Sequence, residues 1–319
     1  MANCHNLFQE FREVIRIGKK KSAMIKSKEA LRERIRKWFK ENHSDYEPHF
    51  YIQGSHKMKT GIRTKQDICD LDDGVYFFRE PDVSATTLQD WVLKAVNGYT
   101  AIPVQHRKKC IRTVFAGEYE IDHPVYCKSE GSFHLAVKNN GFEESDPREM
   151  VDWFDDRKDK DGRLISAVKY LKAWGDYKRE KMPSGLAMTI LATNAKAKIV
   201  LNERDDITLK DLLKEIKKAL DKKFECIVPA CPNDDLFADY DVDKRSSILE
   251  SLYNFIEDAE KALREENELA ASKLWRKHLG PRFPEGENKS SSNSAVNLSA
   301  ITFGASKSNP WSDGWSGGL

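Results

Sequence analysis

The sequence predicts an α+β fold built as two lobes, strand-rich in the first half and largely helical in the second. Three observations carry that expectation. Runs of β-forming residues fall between residues 51 and 126. From about residue 145 apolar side chains recur at helical spacing. At 319 residues the chain is also larger than one small core needs.

Between Arg16 and Lys40 eleven Lys and Arg face two Glu, while Leu31, Ile35, Trp38 and Phe39 recur at helical spacing. This reads as an amphipathic helix with a basic face. Such a face suits polyphosphate or nucleic acid; a solvated helix surface is the plainer reading, and both stay open. Tyr51-Ile52 then runs into a Gly-Ser turn. Leu71 to Phe78 forms a second β-like run after an acidic cluster. Ile111 to Tyr126 is a third, broken at Ala116-Gly117 by a hairpin turn. Leu164, Ile165, Val168 and Leu171 form one helical stripe, and Leu186 to Leu191 is a strongly apolar helical segment. Thr208 begins a helix carrying Leu209, Leu212, Leu213, Ile216 and Leu220, and a last helical pattern runs from about Lys244 to His278. From about Phe283 the composition turns to Ser, Asn and Gly, which predicts a flexible tail.

Composition excludes several classes. With 33% charged and 39% apolar residues, and no uncharged run near the ~18 residues a spanning helix needs, a membrane protein is not expected. The N-terminus has no apolar stretch of signal-peptide type. The six cysteines include no CxxC pair, which argues against a zinc ribbon or disulfide scaffold and fits a reducing, cytoplasmic location. A net charge of +2 argues against histone-like coating of nucleic acid.

The chemistry concentrates in QGSHKMKTGIRTKQDICDLDDGVYF. Gly54-Ser55 is a turn opening a helix, where free backbone N–H groups and the Ser55 hydroxyl suit a phosphate. Asp70 and Asp72 begin a strand, and at period two their carboxylates share one face. Two such carboxylates repel unless a cation sits between them, and Mg²⁺ or Mn²⁺ fits best. Asp122 lies in an otherwise apolar strand, where a charge is costly unless paired or metal-bound. Pro124 is expected to make the end of that strand an edge or a bulge. Three such Asp on adjacent strands would hold two cations, one activating an attacking hydroxyl and one taking the charge of a departing pyrophosphate.

The matching segments are QGS at 53–55, DLDDGVYF at 70–77, IDHPVY at 121–126, SDPREMVDWFDDRKDKDG at 145–162, LISAVKYLKAWGDY at 164–177 and MPSGLAMTILA at 182–192. On these the chain resembles the bacterial CD-NTases, the cGAS/DncV-like nucleotidyltransferases of antiphage (CBASS) systems, over roughly residues 50 to 280. The resemblance implies a polymerase-β-like catalytic sheet. The organisation is then an N-terminal helix plus nucleotidyltransferase core in 1–150, a helical lobe in 151–282 and a tail in 283–319. It also implies residue roles. Gln53, Gly54 and Ser55 hold the donor triphosphate. Asp70 and Asp72 bind two Mg²⁺ ions, with Mn²⁺ as a substitute, and Asp122 completes the metal site and helps deprotonate the acceptor hydroxyl. Lys169, with Lys172 as its competitor at i+3, and Ser184 contact the same triphosphate. Asp73 points to the opposite face and is structural.

The activity so implied is synthesis of a cyclic oligonucleotide from two or three NTPs, with ATP the donor, GTP its companion and pyrophosphate released. The product would be a second messenger for a downstream effector protein. A linear polymerase or other nucleotidyltransferase of the same superfamily is the alternative, and a catalytically idle nucleotide or RNA sensor is a third. No nucleic-acid activator is required. The terminal Trp315-Ser316-Gly317-Gly318-Leu319 suits conjugation by an E1/E2-like partner, against which stands a tail without function. His56, His106, His123 and His134 are expected as ordinary surface or loop histidines. Cys69 reads as sheet core, and Trp153, Phe154 and Trp174 as packing more than base stacking. HRKKCIR at 106–112 either flanks a nucleotide or is simply exposed.

Overall fold

The computed structural model describes residues 1–179 and 182–288. Its first half runs α1 (His5–Ile15), α2 (Lys20–Asn42), β1 (His49–Gln53), α3 (Gly54–Lys57), β2 (Cys69–Phe77), α4 (Ala85–Val96), β3 (Gln105–His106), β4 (Ile111–Phe115), β5 (Tyr119–His123), β6 (Val125–Ser129), β7 (Ser132–Val137) and β8 (Gly141–Glu144). Helices follow: α5 (Pro147–Arg157), α6 (Arg163–Lys178), α7 (Gly185–Lys196), α8 (Asp205–Lys222), α9 (Val242–Arg264) and α10 (Glu268–Leu279). The strands form one mixed sheet ordered β3-β4-β5-β2-β6-β7-β8, with β1 antiparallel to β2.

Period-two alternation in β2 organises the molecule. Leu71, Val75 and Phe77 enter a core with Leu31, Ile35 and Phe39 of α2 and Leu88 and Val92 of α4. Asp70, Asp72, Gly74 and Tyr76 therefore face the other way, toward the helical lobe. Asp73 is on the core side, fully buried, and Arg32 of α2 neutralises it through both guanidinium branches, Nε to Oδ2 being 2.8 Å. A buried carboxylate without such a partner would cost several kcal/mol, so the pair ties α2 to the strand carrying the DxD.

Several elements differ from the expectation. Pro124 does not end an edge strand: it splits one long run into β5 and β6, both parallel to β2, and its carbonyl accepts from Val75 N–H at 2.9 Å. The missing N–H breaks the ladder for one residue and the partner strand bridges the gap. Helix α4 and strands β7 and β8 were not expected. The single late helix is two, because Asn267 caps α10 by accepting from Ala270 N–H. Its predecessor α8 starts at Asp205, ahead of Thr208. His123 is a core residue rather than a surface one, fully buried with Nδ1 on the Asp73 carbonyl at 3.0 Å. Cys69, Phe154 and Trp174 are buried core as expected. All six cysteines are free.

The second core draws in the chain's two ends. Leu7, Phe8, Phe11 and Ile15 of α1 pack with α6, α8 and α10, so α1 joins the helical lobe by contact although it precedes the sheet. Phe283, where the flexible tail was expected to begin, is fully buried against Phe8 and Phe11, with ring centroids 4.8 and 5.4 Å apart. Next to it Arg282 donates to the Arg63 and Thr64 carbonyls at 2.8 and 2.9 Å and to Asp176 at 3.0 Å. The expected tail boundary therefore moves past Glu287, whose carbonyl accepts from Leu269 N–H. The remainder of the tail, including the residues proposed for conjugation, lies outside the described residues. Phe283→Ala is expected to cost about 3 kcal/mol. A chain ending at 282 should melt well below one ending at 288, as thermal unfolding will measure.

Candidate active site

Gly54 ends β1 in a left-handed conformation (φ 60°) and turns directly into α3. A Cβ there would collide with Asp72 Oδ2, so glycine is what lets the turn press against the carboxylate. Gly74, on the same face of β2 as Asp72, meets a similar constraint, because a Cβ would come within 2.6 Å of Tyr76 Cε2 and 2.8 Å of Gln53 Nε2. Gly54→Ala is thus expected to displace Asp72 and cut turnover at least ~10²-fold with the fold retained, checked by kcat alongside circular dichroism.

Gly54, Ser55, Asp70, Asp72 and Lys172 line one cleft of about 510 Å³, closed on its far side by Gly175, Pro183, Gly185 and Thr189 of the helical lobe. Among the described residues the side chains of Asp70 and Asp72 form no hydrogen bond or ion pair. Burial pushes the Asp72 carboxyl up to about 7, and the neighbouring charges of Asp70 and Asp122 add to the effect. Lys172 bonds Thr60 Oγ1 at 3.0 Å. Burial presses its ammonium down to about 8, against the pull of Asp70 and Asp72, which favour its charge.

Asp122 is directly opposite Asp72 in the parallel β2–β5 ladder, so the two side chains emerge on the same face. Its oxygens, however, are taken by Arg112 of β4: Nε to Oδ1 is 2.6 Å and Nη2 to Oδ2 is 2.7 Å. Arg112 also contacts Glu120. The three aspartates expected to converge on metal are neighbours, but they are not assembled. No group of three or more His, Cys, Asp or Glu able to hold an ion exists among the described residues. Arg112, within the HRKKCIR stretch, is the partner of Asp122 that sequence reasoning missed.

The other candidates separate. Lys172 faces the carboxylates. Lys169, one turn back, lines a different cavity with Ser55 and His56. Gln53 is on the cleft side of the sheet but does not line the cleft. Its amide is held by Tyr126 Oη at 3.4 Å and Tyr76 Oη at 3.2 Å. Ser184 caps α7, its Oγ accepting from Ala187 N–H at 3.2 Å; its neighbours Pro183 and Gly185 reach the cleft wall.

The donor set fits a hard divalent cation. Two carboxylates without partners, one of them held partly protonated by burial and like charge, are oxygen ligands whose repulsion a cation would relieve. Asp70 and Asp72 would be its ligands, while the Asp122 oxygens are held by Arg112.

Residues 48–126 match the nucleotidyltransferase domain of the DncV-like cyclic GMP-AMP synthases. The fold is similar to that of the Bradyrhizobium diazoefficiens CD-NTase CdnG in complex with GTP, with TM-score 0.70, 16% identity, and 87% of this chain and 95% of that one covered. Vibrio cholerae DncV cyclic AMP-GMP synthase in complex with the linear intermediate pppA(3′,5′)pG matches at TM-score 0.66 and 20% identity, over 88% and 87%. Escherichia coli DncV in its 3′-deoxy GTP bound form matches at TM-score 0.65 and 21%, again over 88% and 87%. The expected fold class and the resemblance to cGAS/DncV-like nucleotidyltransferases are borne out. No helix among the described residues is long and apolar enough to cross a membrane.

Proposed function

We propose that this chain, whose residues 48–126 form a DncV-like nucleotidyltransferase domain, joins two or three NTPs into a cyclic oligonucleotide. The observation that carries the reading is the partnerless Asp70–Asp72 pair facing Lys172 across a cleft that opens at Gly54-Ser55. ATP is the proposed donor and GTP its companion. The product would serve as a second messenger for an effector protein in antiphage defence.

In each transfer an acceptor hydroxyl oxygen bonds the donor α-phosphorus while the bond from that phosphorus to the β-bridging oxygen breaks, and pyrophosphate leaves. The hydroxyl proton passes to Asp122. Lys172 holds negative charge on the transferring phosphates, and the Ser55 hydroxyl with the backbone N–H groups of the Gly54 turn positions them. Two Mg²⁺ ions, held by Asp70 and Asp72 and joined by Asp122, would supply Lewis acidity toward the hydroxyl and the departing pyrophosphate. Arg112 holds Asp122 oriented until substrate arrives.

The test is incubation with radiolabelled ATP, CTP, GTP and UTP, omitted singly, in Mg²⁺ and then Mn²⁺, with Asp70→Ala/Asp72→Ala as control. A phosphatase-resistant product from the wild type alone is expected. A product whose label is lost to phosphatase would replace cyclisation by linear transfer, and equal product from both proteins would remove the site assignment.

A further inference from the structure

A second cavity, of about 320 Å³, backs onto the cleft. Its wall is assembled from three separate places in the chain: Arg16 and Lys21 around the start of α2, Ser55, His56 and Lys59 on and after α3, and Lys169 on α6. No acidic residue lines it. Arg16 is paired with Glu13 outside. Among the described residues Lys21, Lys59 and Lys169 form no ion pair and no side-chain hydrogen bond. Burial lowers the Lys169 ammonium, the charges of Arg12 and Arg16 add to that, and Glu13 opposes it. His56 is lowered by burial and then by Lys21 and Lys28. Cations drawn from three elements into one concavity with no acidic residue in its wall repel one another, and an anion there would reverse the sign of that interaction.

The two cavities meet at shared residues. Ser55 and Gly61 line both. A Cβ on Gly61 would stand 3.0 Å from Ile17 Cδ1 and 3.4 Å from Ser55 Oγ, so a side chain there would crowd the wall that the two cavities share. Pyrophosphate is the anion that each transfer releases on the cleft side.

We propose that this basic cavity is a pyrophosphate-release subsite, which draws the leaving group past Ser55 and holds it away from the carboxylates before it reaches solvent. The proposal rests on the nucleotidyl-transfer reading above. It adds Lys21 and Lys59, which lie outside the cleft, as residues governing product release.

The experiment titrates inorganic pyrophosphate, in EDTA, into four forms of the full chain by calorimetry. These are wild type, Asp70→Asn/Asp72→Asn, Lys21→Ala/Lys59→Ala, and Lys37→Ala/Lys40→Ala, which removes the same charge from an exposed stretch of α2. Thermal unfolding of each confirms folding. Wild type, the carboxylate variant and the α2 control are expected to bind comparably, and Lys21→Ala/Lys59→Ala about tenfold or more weaker. In steady-state assays that variant should also show a product-inhibition constant for pyrophosphate raised about tenfold, with the NTP KM changed far less. Equal binding by the cavity variant and the α2 control would overturn the subsite. A wild type that makes no oligonucleotide yet loses pyrophosphate binding with Lys21 and Lys59 would overturn the cyclase reading and leave the anion site standing.

Discussion

Replacing Asp72 by Asn is expected to lower nucleotidyl transfer about 10³-fold or more while making the metal-free protein harder to unfold. Both effects follow from one placement. Asp72 is enclosed by the Gly54 turn, Asp70 and Asp122, and without a cation its charge is disfavoured, so its carboxyl rises to about 7 from an ordinary 3.8. A carboxyl whose pKa is raised on folding binds its proton more tightly in the native state. Stability is therefore lost as pH climbs from the ordinary carboxylate range through 7, and the loss is complete above it. Asn has no charge to desolvate, so its advantage should be near zero at pH 4, grow toward pH 7 and then level off. With the cleft admitting water, a gain on the order of 2 kcal/mol at pH 8, or roughly 4 °C in Tm, is expected. Adding Mg²⁺ should stabilise the wild type and leave Asp72→Asn nearly unmoved. Thermal melts at pH 5 and pH 8, with and without Mg²⁺, measure all of this. A variant less stable than wild type at pH 8 without metal would show that Asp72 is paired in solution and not waiting for a cation.

The features legible in the sequence are those fixed by local periodicity. Alternation in DLDDGVYF alone separates Asp70 and Asp72 from Asp73, and the sheet keeps that separation, with Arg32 meeting Asp73 on the far side. Arg112 was legible in principle. A hairpin turning at Ala116-Gly117 pairs Phe115 with Tyr119, and counting back along the ladder brings Arg112 opposite Asp122. Reading the turn without counting its register makes Asp122 an isolated charge needing metal, when an arginine stands across from it. Lys169 and Lys172 pose a different difficulty. Both lie on one side of α6, and only the angle at which the helical lobe meets the sheet sends one to the carboxylates and the other to the basic cavity. The burial of Phe283 was invisible for a similar reason, because its partners Phe8 and Phe11 come from the opposite end of the chain.

The pH dependence of turnover should be a narrow bell whose acid limb moves with Mg²⁺. The cleft needs Asp72 ionised to accept a cation and Lys172 protonated to hold phosphate, and in the free protein these groups stand near 7 and near 8. At low Mg²⁺ kcat/KM should peak between those values and fall about tenfold for each pH unit below the acid limb. Raising Mg²⁺ lets the cation compete with the proton for the same oxygens, so the acid limb should shift downward while the alkaline limb stays in place. Lys172→Gln should lose about 10²-fold at the optimum and also lose the alkaline limb, since no ammonium remains to titrate. Lys169→Gln should keep that limb, because Lys169 faces the other cavity. Profiles of kcat/KM at three Mg²⁺ concentrations for these proteins test the assignment. An acid limb that ignored Mg²⁺ would detach it from Asp72, and an alkaline limb surviving in Lys172→Gln but absent from Lys169→Gln would exchange the two lysines.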